Sequence, residues 1–357
     1  MKKKIVSVLL ACTMVLGLTA CGSAKKNDNG GAKEEKTTTV RWNAGTSGNV
    51  LITIAEDKGY FKDEGINVEL VPADANSDAL TMLSTGKVDI VSNAGTSNPL
   101  QQIASGVDLT IFGGHMVTGA MPVIAKAGTK WNGIKDLVGK KFACNPSYFA
   151  FTGALMDAGV KDPLKAVNFV SYTDYNDALA AVKRGEVDYA LMGTGQNYAV
   201  KNMKDVDIMC YQSDIMPNYS CCRMECQTKY LKDNSETLQK VMVALLRAQD
   251  YYEGHKDEAV KLHAKAINAD ESYVAAYMLD DKHYKVSVDP LKNSVERAWN
   301  ILSKTGFLDK NASKINIDDH INTELYSKAL SEAKEKYGKD SAKFYEGMET
   351  FFNENDK

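Results

Sequence analysis

Short apolar runs alternate with amphipathic stretches along the chain from Thr39 onward. Runs such as VRWNAG (40–45) and INVELV (66–71) predict strands, because the buried strands of parallel sheets are nearly continuous in apolar residues. The stretches between the runs have apolar residues at helical spacing, and glycines such as Gly65 and Gly86 end them. The first of these stretches predicts a helix over residues 50–62. This alternation predicts an α/β fold with mostly parallel sheets flanked by helices.

The same order of elements occurs twice. Residues 78–89 and 177–188 share Asp-Ala-Leu, a glycine and Val-Asp at identical spacing, and both segments lead into a polar loop of small residues. Two copies predict a duplicated lobe rather than a solenoid. The alternative is a chance match between common helix–glycine–strand patterns. Beyond Cys226 the pattern becomes helical, with helices expected over residues 236–254, 257–267, 271–279, 295–305 and 318–336. The predicted architecture is therefore two-lobed with a helical C-terminal segment.

The position of the repeats predicts where the chain passes between the lobes. We expect a first crossing near residues 113–121 and a return near residues 216–226. Residues 38–116 and 225–357 are then expected to form lobe 1 with the C-terminal helices, and residues 117–224 to form lobe 2. Two crossings of this kind would act as a hinge.

The N-terminus resembles a bacterial lipoprotein signal. Three lysines precede an apolar run over residues 5–18, and Leu-Thr-Ala-Cys ends that run at Cys21. We therefore predict a signal peptide over residues 1–20, lipidation of Cys21 and a flexible tether over residues 21–37; a plain secretory signal is the alternative. A lipidated Cys21 predicts an extracytoplasmic protein that is attached to the cell membrane only through its lipid anchor.

Charge and cysteine content exclude several classes of protein. The 43 basic and 46 acidic residues nearly balance, so the broad positive field of a non-specific nucleic-acid binder is missing and no nucleic-acid partner is expected. The N-terminal apolar run is shorter than the ~20 residues of a spanning helix, which excludes a polytopic transporter. Cys12 and Cys21 are two of the seven cysteines; the remainder is odd, so at least one thiol is expected to be unpaired.

Polar loops follow four of the predicted strands. Ligands of parallel α/β sheets collect at the carboxyl ends of strands, where helix N-termini present free N–H groups. Hydroxyl, amide and glycine groups without an acidic residue suit a small oxyanion or a polar heterocycle, on which nearby aromatic rings would stack; ordinary helix caps and core aromatics are the alternatives. The candidate ligand-binding residues are Trp42, Thr46, Ser47, Asn49, Asn93, Gly95, Thr96, Ser97, Asn145, Ser147, Tyr148, Gly193, Thr194, Gln196 and Tyr219.

Candidate residues for catalysis and metal binding are few. Zinc sites normally combine two separated Cys or His pairs, unlike Cys221, Cys222 and Cys226, which we expect to be buried structural cysteines. His115 is the single histidine near the predicted binding loops, and a packed histidine is the expected state. H-E-x-x-H, P-loop and G-x-S-x-G motifs are absent from the sequence. We therefore predict no catalytic residue, metal or cofactor, and a protein that is not an enzyme.

Four motifs together resemble the solute-binding lipoproteins of ABC importers, in the group that binds nitrate, sulfonates, taurine and thiamine-pyrimidine precursors. They are Gly59-Tyr60-Phe61 with Gly65-Ile66 and Val68, the segment 78–90, Ile134-Lys135-Asp136-Leu137-Val138-Gly139-Lys140-Lys141, and the segment 181–189. The resemblance implies a periplasmic-binding-protein-like fold of type II, in which two α/β lobes close over one ligand. It also implies docking to ABC permease and ATPase subunits.

The resemblance leaves the ligand open, because relatives that bind sulfonates and relatives that bind pyrimidines share these motifs. Tyr219-Ser220-Cys221-Cys222 resembles the return crossing, where relatives place ligand-contacting side chains. Two alternatives to an importer component also remain. One is an enzyme similar to thiamine-pyrimidine synthases, which share the fold and a cysteine-rich run; the other is a ligand-sensing lipoprotein.

Overall fold

A computed structural model describes residues 37–45, 47–73 and 78–357 of the chain. The predicted signal peptide, the tether, the lipidation site Cys21 and the candidate ligand residue Thr46 lie outside the described residues. Within the described ranges, no helix combines the length and the apolar character needed to cross a membrane.

The strands of the described residues form two sheets. The strands are β1 (Thr38–Asn43), β2 (Ile66–Leu70), β3 (Ile90–Val91), β4 (Leu109–Gly119), β5 (Pro122–Lys126), β6 (Lys141–Ala143), β7 (Asn168–Val170), β8 (Tyr189–Leu191), β9 (Val206–Tyr211), β10 (Cys222–Gln227) and β11 (Tyr284–Val286). The first sheet has the order β11-β4-β10-β3-β1-β2, and the second has the order β7-β6-β8-β5-β9.

Helices cover both sheets. They are α1 (Val50–Asp57), α2 (Tyr60–Asp63), α3 (Ala79–Ser84), α4 (Ser97–Ala104), α5 (Phe149–Asp157), α6 (Pro163–Ala166), α7 (Tyr175–Arg184), α8 (Asn197–Val200), α9 (Gln212–Ile215), α10 (Thr228–Asp233), α11 (Ser235–Gly254), α12 (Lys256–Ala266), α13 (Glu271–Met278), α14 (Lys292–Lys304), α15 (Thr323–Tyr337) and α16 (Ala342–Asn355). Short 3-10 helices occur at Ile134–Leu137, Lys310–Lys314 and Ile317–His320.

The predicted two-lobed α/β class is confirmed, and both sheets are mixed rather than mostly parallel. β1 pairs in parallel with β2 and β3, and β6 pairs in parallel with β7 and β8. β10 is antiparallel to β3 and β4, and β5 is antiparallel to β8 and β9. β4 and β10 are antiparallel because the chain leaves the first sheet through β4 and returns to it through the neighbouring β10.

The sequence repeat corresponds to a repeated piece of structure. In each copy a helix, α3 or α7, ends at a glycine in the left-handed region, and a strand, β3 or β8, follows. The aspartate that closes each copy accepts a hydrogen bond from the backbone of the neighbouring strand: Asp89 from the Arg41 N–H at 2.8 Å and Asp188 from the Lys141 N–H at 2.9 Å. Matching residues thus fix β1 against β3 and β6 against β8, which places the loops after these strands in matching positions.

The strands define the two crossings between the sheets as residues 120–121 and 212–221. Three non-glycine residues in these crossings have positive φ angles: Ala120 at 47°, Asn218 at 48° and Ser220 at 64°. L-residues adopt this region only where the surrounding structure holds them there. The surrounding structure therefore holds both crossings in specific backbone conformations. The cavity described below lies beside these crossings.

Candidate functional site

The polar loops predicted from the sequence meet at one cavity. They follow β1, β3, β6 and β8, and the loops after β1, β3 and β6 lead into α1, α4 and α5. The cavity has a volume of about 560 Å³, within the range of roughly 300–1,000 Å³ that is usual for small-molecule sites. Twelve of the fifteen candidate residues line it: Ser47, Asn93, Gly95, Thr96, Ser97, Asn145, Ser147, Tyr148, Gly193, Thr194, Gln196 and Tyr219.

Trp42 and Asn49, two of the three remaining candidates, lie beneath the cavity wall and not in its lining. The fully buried indole N–H of Trp42 donates to Ser92 Oγ at 3.1 Å. The side-chain oxygen of Asn49 caps α1 by accepting from the N–H groups of Leu51 and Ile52, and its Nδ2 donates to the same Ser92 hydroxyl at 3.3 Å. Both side chains support the loop after β1 from below, whereas the third candidate, Thr46, lies outside the described residues.

The cap on α1 leads to a test of Asn49. Asn49→Ala removes both capping bonds at a buried position, so we expect a loss of about 1–2 kcal/mol in the free energy of unfolding. Urea denaturation measures this loss. Asn67→Ala is a matched control, because the Asn67 side chain is on the surface and its one hydrogen bond within the described residues is to Thr39. Equal stability of the two variants would contradict the structural role of Asn49.

Two asparagines organise the lining from within it. Asn93 Nδ2 donates to Ser47 Oγ at 2.6 Å and to the Ala44 carbonyl at 3.1 Å, and therefore connects the loop after β3 to the loop after β1. Asn145 Oδ1 accepts from the backbone N–H of Ser147 at 3.0 Å and from its hydroxyl at 2.9 Å. Asparagine is suited to both positions because its short amide can bond to nearby backbone groups without a helix or strand.

The threonine hydroxyls predicted to contact ligand bond to the return crossing and to the end of β4. Thr96 Oγ1 donates to the Ser220 carbonyl and lies 2.9 Å from the Ser220 hydroxyl. Thr194 Oγ1 donates to the Gly119 carbonyl at 2.7 Å. The loop after β3 is consequently fixed to the return crossing, and the loop after β8 is fixed to the last residue of β4.

Aromatic residues form the less polar part of the wall. The lining includes Tyr148, Tyr175, Tyr219 and Tyr273, together with Phe149. Burial raises the pKa of the phenols of Tyr148, Tyr175 and Tyr219 above the usual value. These three hydroxyls are therefore neutral near pH 7, and they offer ring faces and hydrogen bonds but no negative charge.

Sequence reasoning missed several lining residues. Tyr175, Gln212 and Tyr273 come from the starts of α7, α9 and α13, and Met116 and Met121 come from β4 and the first crossing. Tyr175 does follow a parallel strand, β7, but its loop is not among the four with the polar pattern, and the other four residues do not follow a parallel strand. Cys221 and Cys222 also line the cavity, although we expected buried structural cysteines.

Gln212 stands out among the missed residues. Its side chain is 2% exposed and lines the cavity. Its Oε1 has no hydrogen-bond partner among the described residues. A buried amide oxygen without a partner costs about 1–3 kcal/mol, which makes Gln212 a candidate for a hydrogen bond to a ligand.

The lining formed by the described residues contains no Asp, Glu, Lys, Arg or His. His115 lies in β4, outside the lining, and burial lowers the pKa of its imidazole to about 3. Nor do the described residues include a cluster of three or more His, Cys, Asp or Glu that is placed to hold a metal ion. The groups available for chemistry in this cavity are amides, hydroxyls, phenols and two thiols.

Comparison with known proteins identifies the family. A family model described as NMT1/THI5 like matches residues 49–259, more than half of the chain. YtlA of Bacillus subtilis (strain 168), described by its name only as a binding protein, is 23% identical over 295 residues, which cover 78% of this chain and 85% of YtlA. The family resemblance seen in the sequence motifs is confirmed by this match.

Two further similarities point in different functional directions. The 4-amino-5-hydroxymethyl-2-methylpyrimidine phosphate synthase of Aspergillus parasiticus is 26% identical over 234 residues, covering 59% of this chain and 65% of the synthase. The periplasmic aliphatic sulphonate binding protein SsuA of Escherichia coli superposes with a TM-score of 0.66 at 19% identity, covering 79% of this chain and 91% of SsuA. At this identity the second similarity establishes the fold alone.

Proposed function

The chain belongs to the NMT1/THI5-like family, and from this premise we propose that it is the solute-binding lipoprotein of an ABC importer. The protein is extracytoplasmic in this proposal and is anchored to the cell membrane through a lipid on Cys21. It captures one small ligand between its lobes and delivers that ligand to a permease that works with ATPase subunits. The similarity to YtlA and the fold shared with a periplasmic sulphonate-binding protein support this function.

The uncharged lining of the cavity favours a neutral ligand. A buried anion without a cationic partner loses hydration that a neutral ligand does not have. An oxyanion such as a sulfonate or nitrate would depend mainly on backbone N–H groups at the starts of α4 and α5. Asn93, Asn145, Gln196 and Gln212 can each donate and accept hydrogen bonds, and the tyrosine rings offer stacking faces. We therefore propose a planar pyrimidine-type heterocycle with polar substituents.

Capture by hinge closure is supported by hydrogen bonds between the two sides of the cavity. Ser97 Oγ, at the start of α4, donates to the Ser147 carbonyl at 2.6 Å. Tyr273 Oη, in α13, donates to the Thr194 carbonyl at 3.2 Å. A ligand that touches both sides stabilises this closed arrangement by its higher affinity for it, and the permease would recognise the closed form.

The synthase relative raises the alternative of an enzyme. General acid–base catalysis needs a titratable group within hydrogen-bond reach of the substrate, and the described lining offers phenols and thiols for this but no Asp, Glu, Lys, Arg or His. We propose binding without a reaction because of the similarity to YtlA, whose name describes a binding protein. A ligand-sensing lipoprotein would use the same cavity, and co-purification with a permease would separate it from an importer component.

Thermal unfolding of the full chain with three probes tests the ligand class. The probes are 4-amino-5-hydroxymethyl-2-methylpyrimidine, methanesulfonate and nitrate, and 2-methylpyrimidine is the matched control that keeps the ring but lacks the polar substituents. A probe at 100 times its Kd adds about 2.7 kcal/mol to the stability. We expect a saturable increase in Tm with the substituted pyrimidine alone, and its recovery unchanged by mass spectrometry. An increase with methanesulfonate or nitrate alone would contradict the neutral ligand, and a converted pyrimidine would contradict a binding function.

A further inference from the structure

Two neighbouring thiols face the cavity where β10 begins. Cys221 and Cys222 are both free and both line the cavity. Adjacent residues of a regular strand point to opposite faces. Here Ser220 has a φ angle of 64°, and the pairing register of β10 shifts between Cys222 and Arg223. This irregular start brings the two sulfur atoms to 3.9 Å from each other, with the Cys222 thiol donating to Cys221 Sγ.

The hydrogen bonds around the pair give the two thiols different pKa values. Hydrogen bonds from the Cys222 thiol and from the Tyr219 hydroxyl lower the pKa of the Cys221 thiol. The positive charge of the nearby Arg223 lowers this pKa further. The pKa of the Cys222 thiol is raised, chiefly by the adjacent Cys221. Since a thiolate is the nucleophile in thiol–disulfide exchange, Cys221 is the sulfur that attacks first.

The pair also lies beside the crossings between the two sheets, which the proposed function treats as the hinge. A Cβ atom at Gly119, where the chain leaves the first sheet, would lie 3.1 Å from Cys221 Sγ. Cys222 Sγ lies 3.2 Å from Asn93 Oδ1, and Asn93 holds the loop after β1. A change at the two sulfur atoms therefore reaches both crossings and the cavity wall.

We propose that Cys221 and Cys222 form a reversible dithiol–disulfide couple that regulates closure of the cavity. The oxidant is a low-molecular-weight disulfide. The Cys221 thiolate attacks one of its sulfur atoms, forms a mixed disulfide and expels a thiolate. Cys222 then loses its proton to solvent and attacks Cys221 Sγ, which forms the Cys221–Cys222 bond and expels the second thiolate. Two thiols of the protein are oxidised, and one external disulfide is reduced to two thiols.

Such a bond would be easy to reverse. Adjacent Cα atoms across a trans peptide are about 3.8 Å apart, less than the roughly 4.4–6.8 Å that most disulfides span. Strained disulfides are more readily reduced, and they are the labile, regulatory ones. Oxidation also removes the single Cys222 thiol proton, for which Cys221 Sγ and Asn93 Oδ1 are the two acceptors within reach, so the oxidised protein loses that hydrogen bond at the cavity wall.

Peptide mapping of the full chain after treatment with oxidised glutathione tests whether the bond forms. We expect the tryptic peptide 205–223 to lose two hydrogen atoms and to regain them with dithiothreitol. Cys210→Ser is the matched control, because Cys210 lies in the same peptide outside the cavity lining, and this variant should still form the bond. Cys222→Ser should instead keep a glutathione adduct at Cys221. Unchanged thiols, a lasting adduct in the unmodified chain, or a bond to another cysteine would overturn the proposal.

Hydrogen–deuterium exchange tests whether the bond regulates closure. We expect exchange in residues 117–121 and 212–222 to become at least threefold faster on oxidation and to return on reduction; bond formation without this change would overturn a regulatory role. Formation of the bond is independent of the proposed function, whereas closure of the cavity and the effect on ligand affinity rest on it. Reduced protein should bind the substituted pyrimidine at least tenfold more tightly than oxidised protein. Failure of both forms to bind it would count against the proposed ligand and leave the exchange result to decide the switch.

Discussion

Gln212→Met is expected to weaken ligand binding by about tenfold to a hundredfold while leaving the unliganded protein as stable as before or about 1 kcal/mol more stable. The two effects separate because Gln212 Oε1 has no partner among the described residues, so the unliganded protein loses no hydrogen bond. The ligand loses the amide that would bond to it. Calorimetric titration with the substituted pyrimidine measures the first effect, and urea denaturation measures the second.

Gln249 offers a control of the same residue type and the same burial. Its Oε1 accepts from the Val288 N–H at 3.0 Å and its Nε2 lies 3.0 Å from the Met348 sulfur. Gln249→Met should therefore lower the free energy of unfolding by about 1–3 kcal/mol without changing affinity, because Gln249 is outside the cavity lining. Reduced stability in Gln212→Met with normal affinity would place Gln212 among the structural residues.

Gly114→Ala is expected to lower the free energy of unfolding by about 3–5 kcal/mol. A Cβ atom at this position in β4 would lie 2.3 Å from Arg223 Nη1 and 2.5 Å from the Asp289 carbonyl. The fully buried Arg223 guanidinium donates to the carbonyls of Asp289 and Met116 at 2.6 and 2.7 Å. Any movement that admits the methyl group would leave part of this buried cation without its acceptors. Urea denaturation measures the loss.

Gly347→Ala is the matched control for backbone effects. Gly347 lies inside α16, and a Cβ atom there would meet nothing within 4 Å. Alanine restricts the unfolded chain and favours a helix, so this variant should gain about 0.5–1 kcal/mol. If Gly114→Ala behaved like Gly347→Ala, Arg223 would not hold β4 and β10 together.

The elements with a clear periodicity could be predicted from the sequence. α11 and α12 begin and end within one residue of the segments expected at 236–254 and 257–267. The helix expected over residues 50–62 is two helices, α1 and α2, because the chain turns at Gly59 with a φ angle of 74°. A single glycine inside a helical pattern does not reveal whether the helix continues through it.

The strands at the crossings could not be predicted in the same way. β5, β10 and β11 pair antiparallel with strands far away in the sequence, so their local pattern carries little of the information that places them. β10 is also irregular, since its register shifts twice. The side chains of its first residue and of Cys221 before it therefore do not follow strict alternation, which is why both thiols reach the cavity.

The lining could be predicted where a loop follows a parallel strand. Asn93 and Thr96 follow β3, and Gly193 and Thr194 follow β8, in two loops that the internal repeat marks as equivalent. Tyr273 could not be found this way, because it comes from α13 in the helical C-terminal segment. Its place at the cavity depends on how that segment packs across Gly195, whose added Cβ would lie 2.4 Å from the Tyr273 ring.

Hydrogen–deuterium exchange of the reduced full chain, with and without saturating substituted pyrimidine, tests most directly whether one ligand is held between the two lobes. We expect slower exchange at residues 93–98 beside the first sheet and, in the same titration, at residues 145–149 and 193–197 beside the second. Protection at these loops should saturate together with the binding isotherm. Protection confined to one side of the cavity, or exchange unchanged at all three loops, would contradict capture between the lobes.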